Sequence, residues 1–407
     1  MNILYINHYA GSPEMGMEFR PYYLAREWIK MGHNVTIVAA DFSHLRVKNP
    51  DVSNDFKLQK NDDIQYLWIK TGQYKGNGFA RAFTMAQFVF KLLLKSKWIA
   101  SKFSPDVVIC SSTYPIDTFV GQKICRVSAK KVKLVHEVHD LWPSTLTEVG
   151  GMTKFNPFVL IMQIGENSAY RHSDKVVSLA PLALPYMMQH GLKKDKFIHI
   201  PNGVAEEEWK NSVNIPIQIE KKLLRLKENN FIVGYVGGHS ISNSLDDIID
   251  VADRMRNQNV KFVLVGDGIE KKRLMNTATS MNLKNIIFLP PVEKRMIPSL
   301  LKFFDCGFIS AVPSPLYRFG TCMNKIFDYM AAGLPIICAI TTPQSQVSEA
   351  KCGICLESGD IEGIVNSISQ LSNKDNQDLK IFSQRGKEAV KNFYTYDKLA
   401  KQFLDSI

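Results

Sequence analysis

Apolar residues gather in this chain into short unbroken blocks, separated by stretches in which they recur every third or fourth position. The blocks ILYINHY (3–9), NVTIVAAD (34–41), DVVICSS (106–112), KLVHEVHD (133–140), KVVSLA (175–180) and FIHI (197–200) predict strands with both faces covered. A helix from about Pro21 to Met31, ended by Gly32, lies between the first two. Strand, helix and strand in this order make a βαβ unit, the building block of a doubly wound parallel α/β sheet. A second series follows residue 230, in FIVGYVGG, KFVLVGDG, NIIFLPPV, CGFISAV and PIICAI. Residues 41–78 read as a polar segment, and 205–230, with Pro216, as a connection followed by a surface helix.

The length of 407 residues passes the roughly 250–300 at which single cores stop growing, so two domains are expected. The division reads as 1–203, 204–385, and a C-terminal helix over 386–407 that returns to the first domain. Fifty basic against 39 acidic residues give +11, which favours nucleotide phosphates, nucleic acid or an anionic membrane surface as partners. Without an RNP-like aromatic motif, zinc finger or basic tail, nucleic acid drops out. Seven scattered cysteines suit reduced thiols, and Cys352 and Cys355 have CxxC spacing without a second pair. No metal is expected, since His136 and His139 on one strand point to opposite faces.

The first apolar block starts at Ile3 without a basic leader, and no run of about 18 uncharged apolar residues occurs, so a cytoplasmic location is expected. Residues 79–103 hold Arg81, Lys91, Lys95, Lys97 and Lys102 among apolar residues and no acid. Such a helix either lies on anionic lipid or faces the core with a solvated basic edge.

Candidate chemistry concentrates in YRFGTCMNKIFDYMAAGLPII, residues 317–337. Asn324 is expected to cap a helix ending at Gly333, whose N-terminus and Lys325 would attract phosphate, with Asp328 one turn on to accept from a ribose diol. Alternatively Lys325 and Asp328 form a solvated i,i+3 pair. Gly237 and Gly238 end a strand, and either let a phosphate approach the backbone or make a tight turn. Gly16 offers a similar approach in the first loop, while Arg20 either faces the same cleft or forms a salt bridge. His139 and Asp140, in HDLWP, follow a strand's C-terminal end, where ligands of such sheets bind.

NKIFDYMAAG (324–333), IPNG (200–203) and GGHSISNSLDDII (237–249) together resemble the GT-B glycosyltransferases of family 4 type. Within these the chain is similar to N-acetyl-L-fucosamine transferase-like enzymes of bacterial O-antigen and capsule pathways. The resemblance implies two Rossmann-like domains facing each other across a cleft. It implies transfer of a sugar, with an N-acetylated amino sugar as the candidate, from a UDP-linked donor to a lipid-linked glycan, with retention and without a metal cofactor. The enzyme would sit peripherally on the inner face of the cell membrane. His139 and Asp140 become the catalytic candidates, and Arg20 the acceptor candidate. Gly16, Gly238, His239, Asn243, Arg295, Asn324, Lys325 and Asp328 become the donor candidates. The chain departs from the family at Gly320, where a Glu is usual, and at Gly238 and Asn243, where Arg and Lys are usual. A sugar-nucleotide epimerase or hydrolase, and a non-catalytic nucleotide-sugar-binding protein at the membrane, are the other readings.

Overall fold

The computed structural model describes residues 1–74, 76, 78–373 and 377–407. They form two compact units, 1–201 with 396–407, and 202–395. In the first, β1 (Asn2–Ile6), β2 (Asn34–Ala40), β3 (Lys57–Asn61), β4 (Ile64–Ile69), β5 (Val107–Cys110), β6 (Lys133–Val138), β7 (Lys175–Ser178) and β8 (Phe197–His199) form one sheet. Its order is β3-β4-β2-β1-β5-β6-β7-β8. The pairings are parallel except β3 with β4. Ile3 to Ile6 and Val107 to Cys110 are all buried, as strands covered on both faces require.

The β3–β4 hairpin falls in the segment read as polar. Its outer strand, KLQKN, carries exposed Leu58, Gln59 and Lys60, so it lacks the apolar block used to find strands. Lysine on such an edge discourages pairing with another chain.

In the second unit, β9 (Phe231–Val236), β10 (Val260–Val265), β11 (Ile286–Leu289), β12 (Cys306–Ser310), β13 (Ile336–Ala339) and β14 (Gly353–Leu356) are parallel, in the order β11-β10-β9-β12-β13-β14. The order reverses between β9 and β12, so the loops leaving these strands flank a crevice. Ser310 Oγ donates to Asn243 O at 2.7 Å, and Val312 N–H to Ser242 O at 3.2 Å, tying the loops together.

The returning segment is shorter than expected and begins at Tyr396 rather than 386. The helix Asp378–Phe393 stays with the second unit: a Cβ on its Gly386 would lie 3.3 Å from Met330 Cα, in the helix Asn324–Ala332. The helix Tyr396–Asp405 instead packs on Arg20–Lys30. Trp28 Nε1–H donates to Ala400 O at 2.9 Å, its ring meets Phe403 at 5.2 Å, and Tyr23 stacks on Tyr396 at 4.7 Å. Phe403→Ala should therefore destabilise the first unit by about 3–5 kcal/mol in urea unfolding followed by Trp fluorescence. Phe393→Ala, at an exposed position, should stay within about 0.5 kcal/mol.

Candidate functional site

At the crevice of the second unit, β9 runs into Gly237, Gly238 and His239, and β12 leads through residues 311–323 to the helix Asn324–Ala332. No side chain caps that helix, and its first turn holds no acid, so its leading N–H groups and positive dipole end keep their capacity for an anion. Lys325 Nζ donates to Asn243 Oδ1 at 2.9 Å and Tyr235 Oη at 3.1 Å, and sits 4.4 Å from the Tyr235 ring centroid. Among the described residues no carboxylate lies within ion-pair distance of it. Burial pushes its ammonium down to about 7. An anion brought beside it would favour the charged form and be held by it.

Gly238 is exposed, and a Cβ there would meet nothing nearer than Asp267 O at 4.0 Å, so internal packing does not require the bare backbone. Gly238 O accepts from Tyr235 Oη at 2.8 Å and Asn243 Nδ2 at 3.0 Å, which fixes the loop beneath Lys325. Gly238, Asn243 and Lys325 are thus brought together.

The other expected donor groups are placed differently. Asn324 is the exposed first residue of the helix and not its cap, which is Met323. Both carboxylate oxygens of Asp328 accept from Lys294 Nζ at 2.7 Å, a partner the sequence reading missed because it lies 34 residues away. The side chain of Arg295 is exposed, and its carbonyl accepts from Val213 N–H. His239 is fully buried between Tyr235 and Phe288, at 6.0 and 6.1 Å, and burial pushes its imidazole down to about 4, so it brings no charge to a phosphate. The helix Asp246–Arg254 offers no anion site either: Asp246 and Asp247 occupy its first turn. Gly320 has φ +88° and ψ −179°, a region essentially reserved for glycine, so the Glu usual there would strain this backbone.

In the first unit the polar groups at the strand ends form a chain of alternating charge. Glu137, wholly buried on β6, accepts from Tyr5 Oη at 2.5 Å, Ser111 Oγ at 2.7 Å and Arg20 Nε at 2.9 Å. Arg20 also donates to Pro201 O at 2.6 Å and Ile200 O at 3.1 Å. Its guanidinium is buried and braces β6 against the end of the unit, which corrects the expectation that it meets an acceptor. His139 Nε2 is 3.1 Å from Glu137 Oε2, and Nδ1 is 3.2 Å from Glu18 Oε2. Burial works against the imidazolium, but the hydrogen bonds and charges of Glu137 and Glu18 outweigh it and push His139 up to about 10. A cation so held is unsuited to taking a proton from a hydroxyl.

Asp140 follows, exposed, and Glu18 is partly open at 19%. Sequence reasoning gave neither Glu137 nor Glu18 a place beside His139, although one carboxylate within the apolar run KLVHEV was a signal, since a buried carboxylate needs partners. Gly16, with φ +93°, donates its N–H to Ser12 O at 2.9 Å and turns its α-carbon towards Arg46 and Val47. No group of three or more metal-ligating side chains occurs among the described residues.

The helix Phe79–Phe103 buries Met85, Phe88, Val89, Leu92 and Ile99 and leaves Phe83, Phe90 and Leu94 outside, at 64%, 62% and 67% exposure. Lys91 is not a free surface cation, because its Nζ donates to Asp55 Oδ2 at 2.6 Å, whereas Lys95 and Lys97 are exposed. No helix among the described residues is long and apolar enough to cross a membrane.

Residues 15–208 match the family model described as Glycosyltransferase Family 4, and residues 230–374 that described as Glycosyl transferases group 1. WcaI of Escherichia coli (strain K12), named for colanic acid biosynthesis glycosyl transfer, is 26% identical over 250 residues, 60% of this chain and 59% of that protein. This chain's match thus spans less than two thirds of that relative. The capsular polysaccharide biosynthesis glycosyltransferase CapM of Staphylococcus aureus is 22% identical over 392 residues, 90% of this chain and 92% of that protein. Among solved structures, Anabaena Alr3699/HepE in complex with UDP and glucose superposes with a TM-score of 0.69 at 17% identity, covering 100% of this chain and 99% of that one.

Because His139 is raised from near 6.5 to about 10, its ionic contribution to folding is complete below pH 6.5 and is lost as pH climbs towards 10. Glu137→Gln should lower the His139 pKa in an NMR titration and flatten the fall in stability over that range. A His139 that titrates near 6.5 in the wild type would contradict the ion chain.

Proposed function

We propose that the chain, whose fold matches that of GT-B glycosyltransferases, is a glycosyltransferase whose second unit binds a nucleoside-diphosphate sugar, with UDP as the nucleotide. The observation that carries this reading is the uncapped helix N-terminus at residue 324, joined to a Lys325 ammonium with no carboxylate among the described residues beside it. Together they meet the charge of a diphosphate and stabilise its growth as the leaving group departs, the part a metal plays elsewhere. The ribose diol takes the Asp328 carboxylate from Lys294, exchanging one pair of hydrogen bonds for another. HepE, of the same fold, has been solved with UDP and glucose.

The transferred sugar is an N-acetylated amino sugar, and the acceptor a lipid-linked glycan of a surface polysaccharide. The names of WcaI and CapM support the pathway class. The first unit receives the acceptor beside Glu18, His139 and Asp140: the His139 imidazolium fixes Glu18, whose carboxylate reaches solvent and can accept a bond from a sugar hydroxyl. Transfer proceeds with retention by attack on the donor's leaving-group face, since Asp328 in the donor unit is committed to binding. The enzyme works peripherally on the cytoplasmic leaflet, with Phe83, Phe90 and Leu94 in the headgroup layer and Lys95 and Lys97 against anionic lipid.

UDP at about 100 times its Kd should stabilise the protein by roughly 2.7 kcal/mol, a rise of several degrees in Tm. Lys325→Ala should abolish most of this and Asp328→Ala part of it, while Arg295→Ala should leave it unchanged. Equal shifts in all variants would refute the donor site. Separately, Phe83→Ser/Phe90→Ser/Leu94→Ser should lose co-sedimentation with phosphatidylglycerol vesicles. Retained binding would refute the membrane face.

A further inference from the structure

On the far side of the second sheet from β11, Cys338 of β13 stands in register with Cys355 of the edge strand β14. Registered positions on neighbouring parallel strands put their side chains on one face, with Cα atoms roughly 4.8 Å apart, inside the range of about 4.4–6.8 Å that a disulfide spans. The two thiols differ in surroundings. Cys338 is buried at 1%, whereas Cys355 is exposed and lines a cavity of about 620 Å³ with Ser314, Pro315, Arg318 and Thr342. Ser345 Oγ lies 3.8 Å from Cys355 Sγ.

We propose that Cys355 and Cys338 form a thiol–disulfide pair, in which Cys355 reacts with a low-molecular-weight disulfide and Cys338 resolves the adduct. The Cys355 thiolate attacks one sulfur of the small disulfide, releasing one small thiolate and leaving a mixed disulfide. Cys338 then loses its proton and attacks the Cys355 sulfur, forming the Cys338–Cys355 bond and releasing the second small thiol. The protein dithiol is oxidised by two electrons, and the small disulfide is reduced to two thiols. The division of roles fits the local chemistry: hydrogen bonding from Cys338, and then from Ser345, outweighs burial and lowers the Cys355 thiol to about 7, while the same contact and burial push Cys338 well up. Thiolate character and access together select the attacking sulfur.

The position gives the bond a consequence, and this part rests on the donor reading above. The Pro315–Phe319 turn borders the same cavity and is held to the loop after β13 by Thr342 Oγ, which donates to Tyr317 O at 2.9 Å. That turn leads directly into the helix that carries Lys325. Tightening or distorting the β13–β14 pair therefore acts on the anion-binding helix from behind.

The test exposes the full chain to oxidised glutathione, blocks the remaining thiols and maps the peptides by mass spectrometry. The wild type should yield a cross-linked Cys338–Cys355 peptide, and Cys338→Ala should stop at glutathionylated Cys355. Cys355→Ser should give neither product while keeping the wild-type melting curve. Iodoacetamide at pH 7 should alkylate Cys355 about tenfold faster than Cys125 or Cys322. An unreacted Cys355, or a cross-link to Cys352 instead, would overturn the proposal. UDP should stabilise the oxidised protein less than the reduced one. If UDP stabilises neither form, the donor reading fails and the cross-link result still decides the thiol pair.

Discussion

A lysine ammonium enclosed by Tyr235, Asn243 and glycine backbone, with no carboxylate among the described residues to answer it, is the constraint around which the second unit is arranged. Enclosing an unpaired cation is unfavourable, and Lys325 yields part of its proton affinity in response. The surrounding groups do not relieve it: Tyr235 and Asn243 direct their own hydrogens to Gly238 O, and Asp328 is held by Lys294. On the donor reading proposed above, a diphosphate at the uncapped helix end is the anion that would supply the countercharge. The parallel sheet makes this possible, because reversal of strand order at β9 and β12 leaves their loops beside an open crevice.

The first unit solves the opposite problem. Its strand ends bring Arg20, Glu137, His139 and Glu18 together with alternating charge, so each buried ion has a counterion in place. Tyr5 and Ser111 complete the hydrogen bonding of Glu137. Breaking one member of such a chain leaves another charge stranded, which makes it strongly position-determining whatever its net contribution to stability. What reaches solvent from it is the Glu18 carboxylate, in a fixed orientation. One unit thus presents a site short of negative charge, and the other a site already balanced.

The strands and the central helix could be read from the chain because their signals are local. Continuous apolar blocks mark β1, β2 and β5, and the glycine and proline that stop Asn324–Ala332 stand beside it in sequence. The hairpin Lys57–Ile69 escaped because a polar edge strand carries no such block. Partners escaped wherever they are distant along the chain: Arg20 meets Glu137 across 117 positions, and Asp328 meets Lys294 across 34. Residue type and spacing singled out Lys325 and His139 as candidates. They could not show that one has no countercharge among the described residues while the other has carboxylates at both ring nitrogens.

The most direct measurement is the proton stoichiometry of UDP binding, by calorimetry at pH 8 in buffers of differing ionisation enthalpy. With Lys325 near 7, much of it is neutral at that pH, and a diphosphate settling against it should draw in a proton. The account predicts net proton uptake in the wild type and none in Lys325→Met. Binding without uptake, or equal uptake and affinity in the variant, would contradict the claim that this lysine awaits the donor's phosphates.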